Sequence, residues 1–163
     1  EITEMLASLT TGDTAGVVSR VTALAARGPA AYSNDFALHF IAGMLAPQLP
    51  RGFCEAIDAN VVAAHPGNRW ALLMSGGIQG ALGNRPLAVT RYEALVALPN
   101  QEPDGLARLF RAWAFSGMAM AVRDSDPARA RRYIDEGLAT GVTGDTRNSL
   151  LELQQRLDAP PAR

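Results

Sequence analysis

The sequence predicts an all-α protein built from stacked helical hairpins, on three observations. Alanine is abundant while aromatic residues make up only 6% of the chain, a balance that favours helix over sheet. Between regularly placed Pro and Gly breaks, apolar residues fall at three- and four-residue spacing, and no segment sustains the alternation of a strand. A layout also recurs. Gly43, Gly76 and Gly117 are followed by Ala56, Ala88 and Ala130, and then by Ala63, Leu95 and Gly137, with Ser75-Gly76 and Ser116-Gly117 shared by two copies. Recurrence at such a period marks a repeated supersecondary unit.

Nine helices follow in order. The first, 2–10, ends before Gly12-Asp13, and Asp13 can accept the free amides that open 13–27, which Gly28-Pro29 stops. The third, 33–46, runs into Pro47 to Pro50, and 51–64 into His65-Pro66-Gly67-Asn68. Helix 69–82 ends at Gly83-Asn84, and Pro86 suits the first turn of 86–97. Pro99 to Pro103 separates that helix from 104–122, and Asp124 to Pro127 forms the next break. Asp126 and Pro127 then open 127–140, which Gly141 closes in a left-handed stop. Asp145 is the expected cap of 145–157. In this last helix Leu150, Leu151 and Leu153 face the body, while Arg147, Glu152, Gln154, Gln155 and Arg156 mostly face water. Residues 1–158 read as a single domain and 159–163, with Pro160-Pro161, as a frayed tail.

Composition removes several function classes. The sequence contains no lysine, and its 15 basic residues are all arginine, a usage expected of a GC-rich bacterial coding sequence. Schiff-base chemistry, P-loop nucleotide hydrolysis and protein kinase activity each lose their signature residue. A formal net charge of −1 gives no strong pull toward nucleic acid. The lone Cys54 excludes an intrachain disulfide. No apolar run reaches the roughly 18 residues of a membrane span, so no membrane insertion is expected. Glu1-Ile2-Thr3-Glu4 does not read as a signal peptide; the expected compartment is the cytoplasm, or the periplasm if a signal segment was removed.

The repeated layout resembles the tetratricopeptide repeat (TPR) family, whose pattern is Trp-x2-Leu-Gly-x2-Tyr, then Ala-x3-Phe, then a closing proline. Over 69–100 the chain reads Leu72-x2-Ser75-Gly76-x2-Gln79, Gly83-Asn84, Ala88-x3-Tyr92, Leu95 and Pro99. A second copy reads Trp113-x2-Ser116-Gly117-x2-Met120, Ala130-x3-Ile134 and Gly137, and an earlier one His39-x2-Ala42-Gly43-x2-Ala46, Ala56-x3-Asn60, Ala63 and Pro66. A partial copy fits 2–28. The copies are degenerate: Leu-Gly has become Ser-Gly or Ala-Gly, the first-helix Tyr is missing, and 41 rather than 33 residues separate Gly76 from Gly117. The small residues would let helices of one hairpin approach closely, and large ones such as Tyr92 would fill the gap between successive hairpins.

The resemblance implies a right-handed α-solenoid whose first helices line a concave groove for a peptide. Carried over copy by copy, the groove positions are Phe40, Ile41 and Met44; Trp70, Leu73, Met74 and Gly77; and Arg111, Phe115 and Met118. That set is almost wholly apolar and lacks the lysine and asparagine array with which receptors of this family clamp a C-terminal carboxylate. It suits a hydrophobic peptide or amphipathic helix of another protein. The expected function is therefore a non-catalytic protein–protein interaction scaffold without a cofactor. Two alternatives stay open: a self-associating module whose apolar face is a homodimer interface, and a helical carrier or sensor for a small apolar ligand. The same side chains also fit simple burial. In helix 104–122, Leu106, Leu109, Phe110, Trp113 and Gly117 form one apolar stripe and Phe115, Met118 and Val122 another, the mark of an interior helix.

No catalytic constellation assembles. There is no His-Glu-x2-His, Cys-x2-Cys, Gly-x-Ser-x-Gly or Gly-x-Gly-x2-Gly. Gly76, Gly77 and Gly80 lie within a helical pattern and read as close packing. His39 falls in an apolar slot and reads as a satisfied interior histidine, and His65 sits in a turn. Glu55 and Asp58 share a helix face beside Cys54 and read as a solvated face rather than a metal site. Arg123, Arg129, Arg131 and Arg132, interleaved with Asp124, Asp126, Asp135 and Glu136, read as a balanced solvent face rather than a binding patch.

Overall fold

The computed structural model describes residues 2–32, 35–99 and 104–159. Among them are nine α-helices and no strand: α1 Ile2–Thr10, α2 Thr14–Ala26, α3 Phe36–Leu45, α4 Arg51–Ala64, α5 Arg69–Ala81, α6 Arg85–Ala97, α7 Asp104–Val122, α8 Pro127–Ala139 and α9 Gly144–Asp158. The all-α expectation is met, and the helices fall where apolar spacing and the Pro and Gly breaks put them.

The boundaries have local causes. The Asp13 carboxylate accepts from Gly16 N at 2.9 Å and Asp126 from Arg129 N at 2.9 Å. Two caps went unrecognised in the sequence: Asp35 accepts from Leu38 N at 3.0 Å and Asn68 from Ala71 N at 3.0 Å. Asp35 starts α3 later than the pattern suggests, and Ser33 and Asn34 of that expectation lie outside the described residues. Beyond α3, Ala46–Gln48 tightens into a 3-10 turn around Pro47, which has no N–H to continue the helix. The expected cap at Asp145 is corrected. Helix α9 begins at Gly144 after Thr143, and Asp145 lies inside the first turn, where its charge still complements the helix dipole. Gly141 takes a φ of +75° at the end of α8, the left-handed stop expected there. Ala159 is extended after α9, and Pro160–Arg163 of the expected tail lie outside the described residues, as do Asn100–Pro103 of the expected linker.

Contacts group the chain into two compact units, Glu1–Gly83 and Asn84–Arg163. The division falls in the Gly83-Asn84 turn, within the span 1–158 that reads as one domain in the sequence. In the first unit α1 pairs with α2 and α3 with α4; α3 also packs on α1 and α5, and α4 on α5. Its core gathers Met5, Val17, Val21, Leu38, Ile41, Phe53, Ile57, Val61 and Ile78. In the second unit α7 packs on α6, α8 and α9, and α8 on α9. Phe110, Met118, Ala130, Ile134 and Leu150 are buried there.

The repeated glycines make close contacts, but Gly43 from α3 to α5 and Gly117 from α7 to α6, not inside the pairs α3–α4 and α7–α8 where the sequence puts them, and Gly137 from α8 to α9 as well as to α7. A Cβ at Gly43 would collide with the Met74 side chain, and one at Gly117 with the Tyr92 ring. One at Gly137 would lie 3.1 Å from Leu150 Cδ1. Ala88 and Ala130 are fully buried and Ala56 partly so. No helix among the described residues is long and apolar enough to cross a membrane.

Candidate functional site

The densest polar arrangement lies inside the first unit. Asp58 on α4 is 1% exposed and serves as a hub for two neighbouring helices. From α3, His39 Nε2 donates to Asp58 Oδ1 at 2.8 Å. From α5, Ser75 Oγ and Gln79 Nε2 donate to Asp58 Oδ2 at 3.0 Å and 2.7 Å. Burial alone pushes the Asp58 carboxyl up, but the hydrogen bonds from His39, Gln79 and Ser75 outweigh it. Together with the His39 charge they hold the group below its ordinary value of 3.8. His39 is fully buried, and its Nδ1 has no hydrogen-bond partner among the described residues.

This geometry corrects the reading of Glu55 and Asp58 as one solvated face. Glu55 is exposed and pairs with Arg51 Nε at 2.7 Å, whereas Asp58, three residues on, turns inward. Cys54, a turn before Asp58, is fully buried, and burial with the nearby Asp58 and Glu55 charges pushes its thiol up to about 11. A thiol so placed is not a nucleophile near neutral pH. The interior place of His39 is as expected, but only its Nε2 is satisfied. His65 is exposed at the end of α4, its ring edge-on to Phe36 at 5.9 Å.

The hub resembles catalytic furniture in composition but not in connectivity. A nucleophile–base pair needs Ser bonded to His. Here Ser75 and His39 both donate to the same carboxylate, and all four side chains are buried. Such an arrangement fixes helices rather than moves protons. Among the described residues no three His, Cys, Asp or Glu side chains gather to hold a metal. Sequence reasoning missed the cluster, although a signal was present. Asp58 sits on the α4 stripe of Cys54, Ile57, Val61 and Val62, and Ser75 and Gln79 lie one turn apart on α5.

The ten expected groove positions divide. Ile41, Leu73, Met74, Phe115 and Met118 are buried, so they do not line an open groove. The cause is visible for Met74, which packs over Gly43, and for Phe115, whose Cβ faces Gly137. Phe40, Trp70, Gly77 and Arg111 are half-buried, and Met44 is 59% exposed. Phe40 and Trp70 meet edge-on at 5.9 Å, and Arg111 lies over the Phe115 ring at 5.9 Å.

In the second unit the outward face of α7 differs from the expected one. Phe110, Phe115, Met118 and Val122 are buried, while Leu106 and Met120 are 37% and 51% exposed and Leu109 and Trp113 are half-buried. A cleft of about 510 Å3 opens between α7 and α9, floored by Trp113, Met120 and Leu153 and edged by Asp145, Glu152 and Arg156. Three arginines of the cluster are paired, as the alternating charges suggest: Arg123 with Asp124 at 3.2 Å, Arg129 with Glu93 at 3.3 Å, and Arg131 with Asp158. Comparison with family models, with curated proteins and with solved structures finds no match to this chain.

Proposed function

We propose that this chain is a non-catalytic interaction scaffold built from degenerate TPR-like hairpins, which binds apolar segments of another protein on the exposed faces of its first helices, α3 in the first unit and α7 in the second. One observation carries the reading. The large apolar side chains that stand exposed among the described residues, Met44, Leu106 and Met120, all lie on α3 and α7, the first helices of their hairpins. The second helices α4, α6 and α8 expose none. Exposed Met beside half-buried aromatics is the surface of a site that adapts to an apolar partner.

The order of helix neighbours supports the architecture. Within the first unit α1 packs on α3, α3 on α5, and the second helix α4 on α5; within the second unit α7 packs on α9, α6 on α7 and α8 on α9. Stacked hairpins have this neighbour pattern. The buried carboxylate hub, closed to substrate, gives no support to an enzymatic reading.

A photo-crosslinking side chain placed singly at Met44, Met120, Glu93 and Arg132 in the native host tests the proposal. The two first-helix positions are expected to yield a discrete adduct with another protein, and the two second-helix positions none. Equal labelling of all four, or of none, overturns it. An adduct of twice the chain mass at Met44 or Met120 would identify the partner as a second copy instead.

A further inference from the structure

The outward residues of α7 follow one rule. Leu106, Leu109, Trp113, Ser116 and Met120 are separated by three, four, three and four residues, and each keeps exposed surface. That is the spacing of a heptad seam, the pattern by which one α-helix lies along another. A surface helix that merely closes a core turns such residues inward; α7 instead buries Phe110, Phe115 and Met118 and leaves the heptad stripe outside.

We infer that the α7–α9 face of the second unit is the docking seat for an amphipathic α-helix of another protein, with apolar side chains in heptad spacing and basic side chains along one flank. This rests on the scaffold reading above and assigns its site and its ligand chemistry.

Length argues for a helix rather than a small molecule. The stripe from Leu106 to Met120 extends about 21 Å at 1.5 Å per residue, and only Trp113, Ser116 and Met120 of it line the cleft, so it runs on past the cleft at Leu106 and Leu109. The flank is chosen by charge. On α9, Asp145 and Glu152 are seven residues apart, the same heptad step, and both edge the cleft. Arg156 leans on Glu152 at 3.6 Å, and no ion pair engages Asp145 among the described residues. A helix seated on the seam would set its own flanking positions against these carboxylates, where Arg or Lys is favoured and Glu or Asp repelled. The floor has room for an inserted side chain: Trp113 supplies a flat apolar wall and Met120 an adaptable one.

The test is a display library of single helices about three heptads long. Seam positions are restricted to Leu, Ile and Met, and flanking positions vary among Arg, Glu and Gln. Selection is against the whole chain. Arg is expected to dominate one flank of the selected helices. Met120→Asp, at a half-exposed position that leaves the circular dichroism and melting curve unchanged, is expected to weaken them at least about tenfold. Asp145→Lys combined with Glu152→Lys is expected to turn the flank preference from Arg to Glu. Met44→Asp is expected to change nothing. No selected binder, no flank preference, or indifference to Met120→Asp overturns the inference. Loss of binding on Met44→Asp alone also overturns it while leaving the scaffold reading standing. A chain that sediments as a dimer and becomes monomeric with Met120→Asp shows that the seat is filled by a second copy, which overturns it too.

Discussion

The two units solve one problem, fixing the register of neighbouring helices, by different means. Every buried polar or charged side chain described lies in the first unit: His39, Asp58, Arg69, Ser75 and Gln79. There a single carboxylate takes three donors from two other helices. In the second unit charges pair at the surface, as Arg85 does with Asp124 at 2.9 Å, and register rests on volume: Gly117 under Tyr92, Gly137 under Leu150. Directional bonding admits one arrangement, since sliding a helix by a residue rotates its donor by about 100°. Volume packing tolerates small changes by repacking. Substitutions at the hub are therefore expected to act all-or-none, and those at volume contacts, which the first unit also has at Gly43 and Met74, to act by degrees.

The largest effect is expected from Asp58→Ala. It strands three buried donors at once, and removing one partner of a buried charged pair costs roughly 3–5 kcal/mol. Urea unfolding followed by circular dichroism measures the loss. Cys54 gives a local readout, because a buried thiol pushed up to about 11 labels only when the surrounding helices open. Labelling by a thiol reagent at pH 8 is expected to accelerate in Asp58→Ala in step with the lost stability. Replacing the whole hub by apolar residues of similar size is expected to cost much less than the single change. A hub variant as unstable as Asp58→Ala would show that the donors matter beyond their pairing.

The same hub sets an acid limit, smaller in effect because it removes only the charge. The folded-state pKa of Asp58 is lowered below 3.8, so its contribution is present above that value and is lost as the pH falls through the folded pKa. Hydrogen exchange below pH 4 is expected to rise in α3, α4 and α5 before α7 and α8, and Asp58→Asn is expected to flatten that dependence. Simultaneous loosening of both units would assign the acid response elsewhere.

How much of this was legible in the sequence follows from the same contrast. Helix positions could be read, because periodicity and breakers act locally; that Gly43, Gly117 and Gly137 need to be small could be read too, but not which helix each one meets. The hub could not, because His39, Ser75 and Gln79 each lie 17 to 21 residues from Asp58 and meet it only through packing. Reading Asp58 with its chain neighbour Glu55, instead of with the apolar stripe of α4, turned an interior group into a surface one. Five of the ten groove positions failed for a related reason. The groove positions were carried over from a family's pattern and not from this chain's own apolar stripes, and on α7 the outward stripe is that of Trp113 and Met120 rather than Phe115 and Met118.

Volume packing in the second unit predicts an intermediate effect for Gly117→Ala. Alanine gains about 1 kcal/mol of helix propensity over glycine. The added Cβ meets the Tyr92 ring, and overpacking of this kind costs typically 1–3 kcal/mol. A net loss of about 1 kcal/mol is expected in thermal unfolding, with Tyr92→Leu in the same chain restoring most of it. A gain in stability from Gly117→Ala alone would mean that Tyr92 moves freely and that the small residue is not what sets the spacing of α6 and α7.

The smallest effect separates the two units under identical chemistry. Asp124→Asn removes a charge paired with Arg85 and Arg123 at the surface, where all three side chains are about half exposed. Such pairs contribute about 1 kcal/mol at most, and salt screens what they do contribute. Its effect is expected to vanish in about 0.5 M salt. Asp58→Asn makes the same change of atoms, but an asparagine there must turn its NH2 either toward the donors Ser75 and Gln79, or toward His39, which must then accept at Nε2 and bury its proton on the unpartnered Nδ1. Its cost is expected to exceed that of Asp124→Asn severalfold and to persist at high salt. Equal salt sensitivity of the two variants would mean that water reaches Asp58, and the hub would then be a fold-opening site instead of a register pin.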